Sequence, residues 1–85
     1  MYYVYFLSLN NKQVYTGMTT NLKRRISEHN RGKVASTAKR LPAELIGYEA
    51  YRLKTDAVRR ERYLKTTEGK RLLRQQYRDI INLAS

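Results

Sequence analysis

The stretch Tyr2–Leu9 (YYVYFLSL) constrains the fold more than any other part of the chain. It is rich in aromatic and β-branched residues, which fit the pleated surface of a sheet. Both of its alternating sets of positions are apolar, and a strand without polar alternation has to be covered on both faces. The segment therefore reads as a central strand with other elements packed on either side. A chain of 85 residues has room for one modest core, so residues 1–85 are expected to form a single domain.

The flanking segments supply the rest of that sheet. Asn10-Asn11-Lys12 has turn chemistry, because Asn tolerates positive φ. Gln13–Met18 then reads as the returning strand of a hairpin, with Gly17 near its end. A two-residue turn would pair Leu9 with Lys12 and put Tyr5 and Tyr15 on opposite faces. A three-residue loop pairs Leu9 with Gln13, sets Tyr15 opposite Leu7 and makes Tyr5 its diagonal neighbour. The three-residue loop, or a bulge of the same parity, is the expectation, with positive φ at Asn11 or Lys12.

Thr19 and Thr20 can cap a helix over about Asn21–Asn30, stopped by Gly32. Lys33–Pro42 is a polar, basic loop, and Glu44–Tyr51 alternates enough to be a third strand. Thr55 and Asp56 offer caps for a second helix over roughly Asp56–Lys65, after which residues 66–69 break the pattern. A third helix carries Leu72, Leu73, Gln76, Tyr77, Ile80 and Ile81 at helical spacing. The fold class is α+β: a small antiparallel three-stranded sheet with flanking helices, in the order ββαβαα.

Composition narrows the chemistry. Zero cysteines exclude disulfides, thiol nucleophiles and thiolate zinc sites, and one histidine excludes a multi-histidine metal site. A bound metal would need oxygen ligands, which favours magnesium or manganese. No run is apolar enough to span a membrane and the N-terminus lacks a signal-peptide layout, so a cytoplasmic location is expected. Eighteen Lys plus Arg against seven Asp plus Glu give a net charge of +11, which implies a polyanionic partner. Nucleic acid is the usual one, and composition alone leaves a ribosome-associated or RNA-binding protein open. The basic residues are not gathered on one amphipathic helix, which argues against a membrane surface.

Three polar features lie where apolar residues are expected. On the first helix Leu22 and Ile26 define the buried stripe, and Arg25 and His29 fall within about 60° of Leu22, whereas Arg24 points roughly opposite. Arg25 either lays its stem on apolar surface with its head in water or serves a site. On the second helix Glu61 lies in the stripe of Ala57, Val58 and Leu64, where a lone carboxylate needs a cation or donors. It is either half of an ion pair or a metal ligand. Eight of the nine aromatics are tyrosine, and Tyr3, Tyr5 and Tyr15 lie in the hairpin, where their hydroxyls add to a polar cluster.

Together these residues resemble the GIY-YIG endonuclease family, in its small stand-alone bacterial form. The first motif stands as Tyr3-Val4-Tyr5 and the second as Tyr15-Thr16-Gly17. Arg25 follows ten residues after Tyr15, and His29 four residues later. The segment Gly32–Leu45, with Thr37, Arg40 and Pro42, is similar to these bacterial members, and Glu61 falls where the family places its metal-binding glutamate. Tyr3 replaces the glycine of the first motif and Thr16 the isoleucine of the second. Some members carry an asparagine about a dozen residues beyond the glutamate; Leu73 stands there, so that role is not carried over.

The resemblance implies a metal-dependent DNA endonuclease, structure-selective rather than sequence-selective, acting in DNA repair or processing. It implies Glu61 as the metal ligand, Mg²⁺ or Mn²⁺ as the ion, and Arg25 as the group that stabilises charge on phosphorus. Tyr5 or Tyr15 would take the proton from attacking water, with Arg25 and the metal lowering a phenol pKa of about 10. His29 would orient a tyrosine or touch phosphate, or itself be the base. Lys33, Thr37, Lys39, Arg40 and the arginines of the later helices would hold DNA. With no appended module in these 85 residues, target choice is expected to come from DNA shape or a partner protein. A non-catalytic nucleic-acid-binding module of the same fold is the alternative.

Overall fold

The computed structural model describes residues 1–83. Seven elements run in the order β1 (Tyr2–Ser8), β2 (Val14–Thr19), α1 (Leu22–Asn30), β3 (Glu44–Tyr51), α2 (Lys54–Leu64), α3 (Thr67–Gln76) and α4 (Arg78–Leu83). The sheet is antiparallel with strand order β2-β1-β3. The strand with no polar face is thus the central one. The class is α+β, in the expected order plus one extra helix.

Two core clusters cover the two faces of β1. Tyr5 and Leu7 pack with Leu9 and Ala43, and with Leu22 and Ile26 from α1. Val4 and Phe6 pack with Ala57 and Leu64 from α2 and Leu73 from α3. Val4, Phe6 and Leu7 are fully buried and Tyr5 is 1% exposed, which is why the segment tolerates no polar alternation.

The hairpin has the three-residue loop. Leu7 pairs with Tyr15 and Ser8 with Val14, the Leu9 amide donates to the Gln13 carbonyl, and Lys12 carries the positive φ of 66°. Side chains of paired residues share a face, so Tyr5 and Tyr15 point to the same side of the sheet.

Helix boundaries differ from expectation in three places. Asn21, rather than Thr19 or Thr20, caps α1: its side chain accepts from the Arg24 amide at 3.1 Å. Helix α2 begins at Lys54, and its N-cap Leu53 makes no side-chain cap bond, so Thr55 and Asp56 lie inside the first turn. Thr66 caps α3 by accepting from the Gly69 amide at 3.1 Å. The break therefore covers two residues, and Gly69 lets the new helix lie against the end of α2. A Cβ at Gly69 would meet the Tyr63 carbonyl oxygen at 2.1 Å.

The single third helix expected from Leu72 to Ile81 is divided at Tyr77. The Tyr77 ring packs on Phe6, with centroids 5.5 Å apart, and fills the space above Gly47. The turn there is also followed by burial of Ile81, while Leu72 and Ile80 stay exposed. A side strut ties α2 to β3. Arg60 donates to Glu49 through Nε and Nη2 at 3.0 and 3.1 Å, and the Tyr51 hydroxyl donates to the same carboxylate. Burial first, and then Glu49, push the Tyr51 phenol up to about 12. Among the described residues no helix is long and apolar enough to cross a membrane.

Candidate active site

The hairpin register brings Tyr5 and Tyr15 together and α1 lays His29 across them. The tyrosine ring centroids are 6.3 Å apart, and the His29 ring stands edge-on to both, at 5.7 Å from Tyr5 and 5.1 Å from Tyr15. Gly17, opposite Tyr5 on β2, makes the space for this arrangement. A Cβ there would sit 2.4 Å from Cζ and from the hydroxyl oxygen of Tyr5.

His29 is fully buried and both ring nitrogens are engaged. Nε2 lies 2.8 Å from the Tyr5 hydroxyl and Nδ1 2.7 Å from Thr37 Oγ1. Proton positions follow from the end of the chain. Thr37 Oγ1 donates to the Val34 carbonyl at 3.4 Å, and a carbonyl can only accept. The Thr37 oxygen therefore accepts from Nδ1–H, which leaves Nε2 to accept from the Tyr5 hydroxyl. Burial lowers the His29 pKa, Arg25 lowers it further, and Glu28 opposes them, so the ring is held neutral.

Thr37 was expected among the DNA-contacting residues. It is fully buried with its hydroxyl committed to His29, so it orients the imidazole and presents no surface to a strand. Asn30 anchors the loop that carries it: its side chain donates to the Ala43 carbonyl at 2.9 Å and accepts from the Ala43 amide at 2.8 Å. Sequence reasoning passed over Asn30. The signal was an amide at the end of α1, followed by a long polar loop in need of anchoring.

Arg25 lies over the same cluster while Arg24 points to solvent, their side chains being 36% and 77% exposed. The Arg25 guanidinium sits beside the Tyr5 hydroxyl and donates to Glu28 Oε1 at 3.1 Å. Glu28, also passed over by the sequence reading, is held below the usual carboxylate range by Arg25 first and then by Arg24 and Lys33. The Arg25 Nε is buried and, among the described residues, is the side-chain polar atom left without a hydrogen-bond partner. The side chain as a whole is partly exposed, and the outward side of its guanidinium is suited to an anionic oxygen brought by a substrate.

Without a metal, Arg25 alone does not lower the phenol pKa at Tyr5. Burial raises it, the Tyr15 and Glu61 charges add to the rise, and Arg25 only partly opposes them. Tyr5 is therefore a protonated phenol at neutral pH, hydrogen-bonded to a neutral imidazole. Its oxygen can take a proton from outside only as its own moves to His29 Nε2.

Glu61 belongs to a helix packed on the other face of β1, yet α2 also touches the edge strand β2, and the Glu61 charge acts on Tyr5. Its side chain is 20% exposed and pairs with Lys65 Nζ at 3.4 Å. Among the described residues no three His, Cys, Asp or Glu side chains gather. The donor set is thus one carboxylate, which fits a magnesium-like ion that keeps waters and takes substrate phosphate, and does not fit a closed protein cage. Lys33 and Lys39 are exposed on the loop after α1. Arg40 is held over the hairpin by Gln13 Oε1 and the Ser36 carbonyl.

Residues 1–77 match the family model described as the GIY-YIG catalytic domain. A UPF0213 protein of Haloquadratum walsbyi is 37% identical over 82 residues, 93% of this chain and 92% of that protein. A UPF0213 protein of Staphylococcus haemolyticus is 42% identical over 66 residues, covering 76% of this chain and 80% of its own length. One from Streptococcus agalactiae is 44% identical over 64 residues, or 74% and 73% of the two chains. No solved structure matches the chain significantly.

Proposed function

This chain belongs to the GIY-YIG nuclease family, and we propose that it is a divalent-metal-dependent endonuclease that hydrolyses DNA phosphodiester bonds. The observation that carries the reading is the buried line from Tyr5 through His29 to Thr37, with Arg25 beside its outer end. A binding module needs no such line, because gripping phosphates takes only cations.

In this reading the Tyr5 oxygen accepts the proton of the attacking water as its own proton passes to His29 Nε2. His29 is ready for it because burial and Arg25 keep it neutral. Thr37 holds the imidazole so that Nε2 faces the phenol. Tyr15 packs against both rings and keeps Tyr5 in place. The partly exposed guanidinium of Arg25 meets a non-bridging oxygen of the phosphate, and its charge stabilises the negative charge that builds there. Glu61 would hold Mg²⁺ or Mn²⁺, which when bound polarises the phosphate and offsets charge on the leaving oxygen. Lys33, Lys39 and Arg40 hold flanking phosphates without reading sequence. Contacts of this kind carry no base information, which supports selection by DNA structure; a role in DNA repair or processing inside the cytoplasm is part of the same proposal.

The Glu61–Lys65 ion pair favours a second reading, in which Glu61 is structural and the protein binds nucleic acid without cutting it. Supercoiled plasmid incubated with the protein in Mg²⁺, in Mn²⁺ and in chelator separates the two. Nicked or linear DNA only with metal supports the nuclease. Retarded but intact plasmid in all three supports the binding module.

A further inference from the structure

We infer that the cleft between the outer edge of β2 and the junction of α2 with α3 is a nucleotide subsite that receives an unpaired nucleotide of the strand being cut. This rests on the nuclease reading above.

The cleft has a volume of about 460 Å³, within the range of sites that enclose small ligands. Arg40, Lys65, Lys70 and Arg74 line it, from the loop before β3, the end of α2 and the body of α3, and among the described residues no carboxylate does. Converging cations repel one another, and an anion offsets that repulsion. Two of them are already positioned. Arg40 is braced by Gln13 and Ser36, and Arg74 Nη1 donates to the Lys12 carbonyl at 3.1 Å.

Charge alone would suit a bare phosphate, but the cleft also has an apolar floor, formed by the half-buried Val14 and Tyr15 over the buried Leu64 and Leu73. Consecutive residues Val14, Tyr15 and Thr16 of β2 form one wall. Because β2 is an edge strand, this wall presents backbone N–H and C=O groups that no neighbouring strand pairs. Cations for a phosphate, an apolar floor for a sugar and base, and free backbone groups for a base edge together describe a nucleotide. A base reaches a cleft in a protein surface only when it is out of the stack, so the nucleotide has to be unpaired.

Position ties the cleft to the cutting centre. Tyr15 lines the cleft and packs on His29, and Lys65 lines it and pairs with Glu61. A nucleotide seated there is adjacent to the scissile phosphate on the same strand.

The test uses the whole protein. In metal-free solution, amide chemical shifts are followed during titration with deoxyadenosine 5′-monophosphate, with inorganic phosphate and with deoxyadenosine. The nucleotide should shift the amides of residues 14–16 and of α3, and should bind about tenfold tighter than either fragment, the ratio that one charge-assisted hydrogen bond supplies. Lys70→Glu combined with Arg74→Gln, both at exposed positions, should weaken nucleotide binding by at least about tenfold without loss of fold. Phosphate binding as tightly as the nucleotide, or shifts elsewhere only, overturns the subsite.

A second arm compares cleavage, in metal, of duplexes with and without one unpaired nucleotide. The wild type should prefer the former, and the double variant should lose the preference. Nucleotide binding in the cleft without any cleavage would sink the nuclease reading and keep the subsite. Cleavage with no preference and no nucleotide binding would do the reverse.

Discussion

The Tyr5 hydroxyl donates to His29 Nε2 across 2.8 Å in a buried contact between the central strand and the helix that follows the hairpin. Tyr5 is 1% exposed and His29 not at all, so an attacking water meets the pair only through Tyr5. A contact so enclosed serves packing, proton transfer or both, and substitution can separate the two.

Tyr5→Phe keeps the ring and removes the proton carrier. It leaves His29 Nε2 unsatisfied in the interior, so the fold should lose about 1–3 kcal/mol and still form. Cleavage should fall by roughly 10²–10⁴-fold, the usual contribution of a positioned acid or base. Chemical denaturation and single-turnover cleavage read the two effects. Near-wild-type turnover in this variant would leave Tyr5 a packing residue.

The lowered His29 pKa sets a pH dependence. The folded ring protonates below its ordinary value of 6.5, so the unfolded chain takes up the proton first as pH falls. Stability is complete above about 6.5 and declines below it, as pH falls through the folded value. The melting temperature of the wild type should drop on the acid side, and His29→Gln should show a shallower drop. Cleavage should fall in the same direction, because protonated His29 cannot accept from Tyr5. Equal acid sensitivity in both proteins would dissociate His29 from the effect.

Arg24 and Arg25 are adjacent in sequence and point to different surroundings. Arg25→Ala should cost roughly 10²–10³-fold in turnover, as removal of one preorganised donor does. Arg24→Ala should weaken DNA binding modestly and flatten its salt dependence. Equal losses in cleavage would contradict the geometry of α1.

Gly17→Ala places a methyl group on the Tyr5 ring, at 2.4 Å from Cζ. The ring has to move, at a cost of about 1–3 kcal/mol for an overpacked core, and the 2.8 Å contact with His29 moves with it. Melting temperature and cleavage should both fall. An active Gly17→Ala protein of wild-type stability would show that the site tolerates displacement of Tyr5.

Much of this site is legible in the sequence because it obeys periodicity. Strand parity and loop length place Tyr5 beside Tyr15, and helical spacing turns Arg25 and His29 inward and Arg24 outward. What periodicity cannot reach is how irregular chain returns. Thr37 lies in a loop without a repeating pattern, so its burial against His29 and the Asn30 clamp that holds the loop depend on contacts eight and thirteen residues apart. The sign of the Tyr5 shift was illegible for a related reason. A neighbouring arginine is visible in sequence, whereas the burial that outweighs it emerges only when α1 closes on the sheet. The break at Tyr77 was hidden because Leu73, Tyr77 and Ile81 keep helical spacing straight across it.

The central claim is that Glu61 serves metal-dependent strand cleavage rather than an ion pair with Lys65. Glu61→Gln keeps the shape of the side chain and removes its charge. The decisive measurement is single-turnover cleavage by this variant at saturating Mg²⁺ and Mn²⁺, with DNA affinity measured alongside in the absence of metal. The account predicts no product while DNA binding stays close to wild type. Cleavage at the wild-type rate in saturating metal would contradict it and leave Glu61 as the structural partner of Lys65.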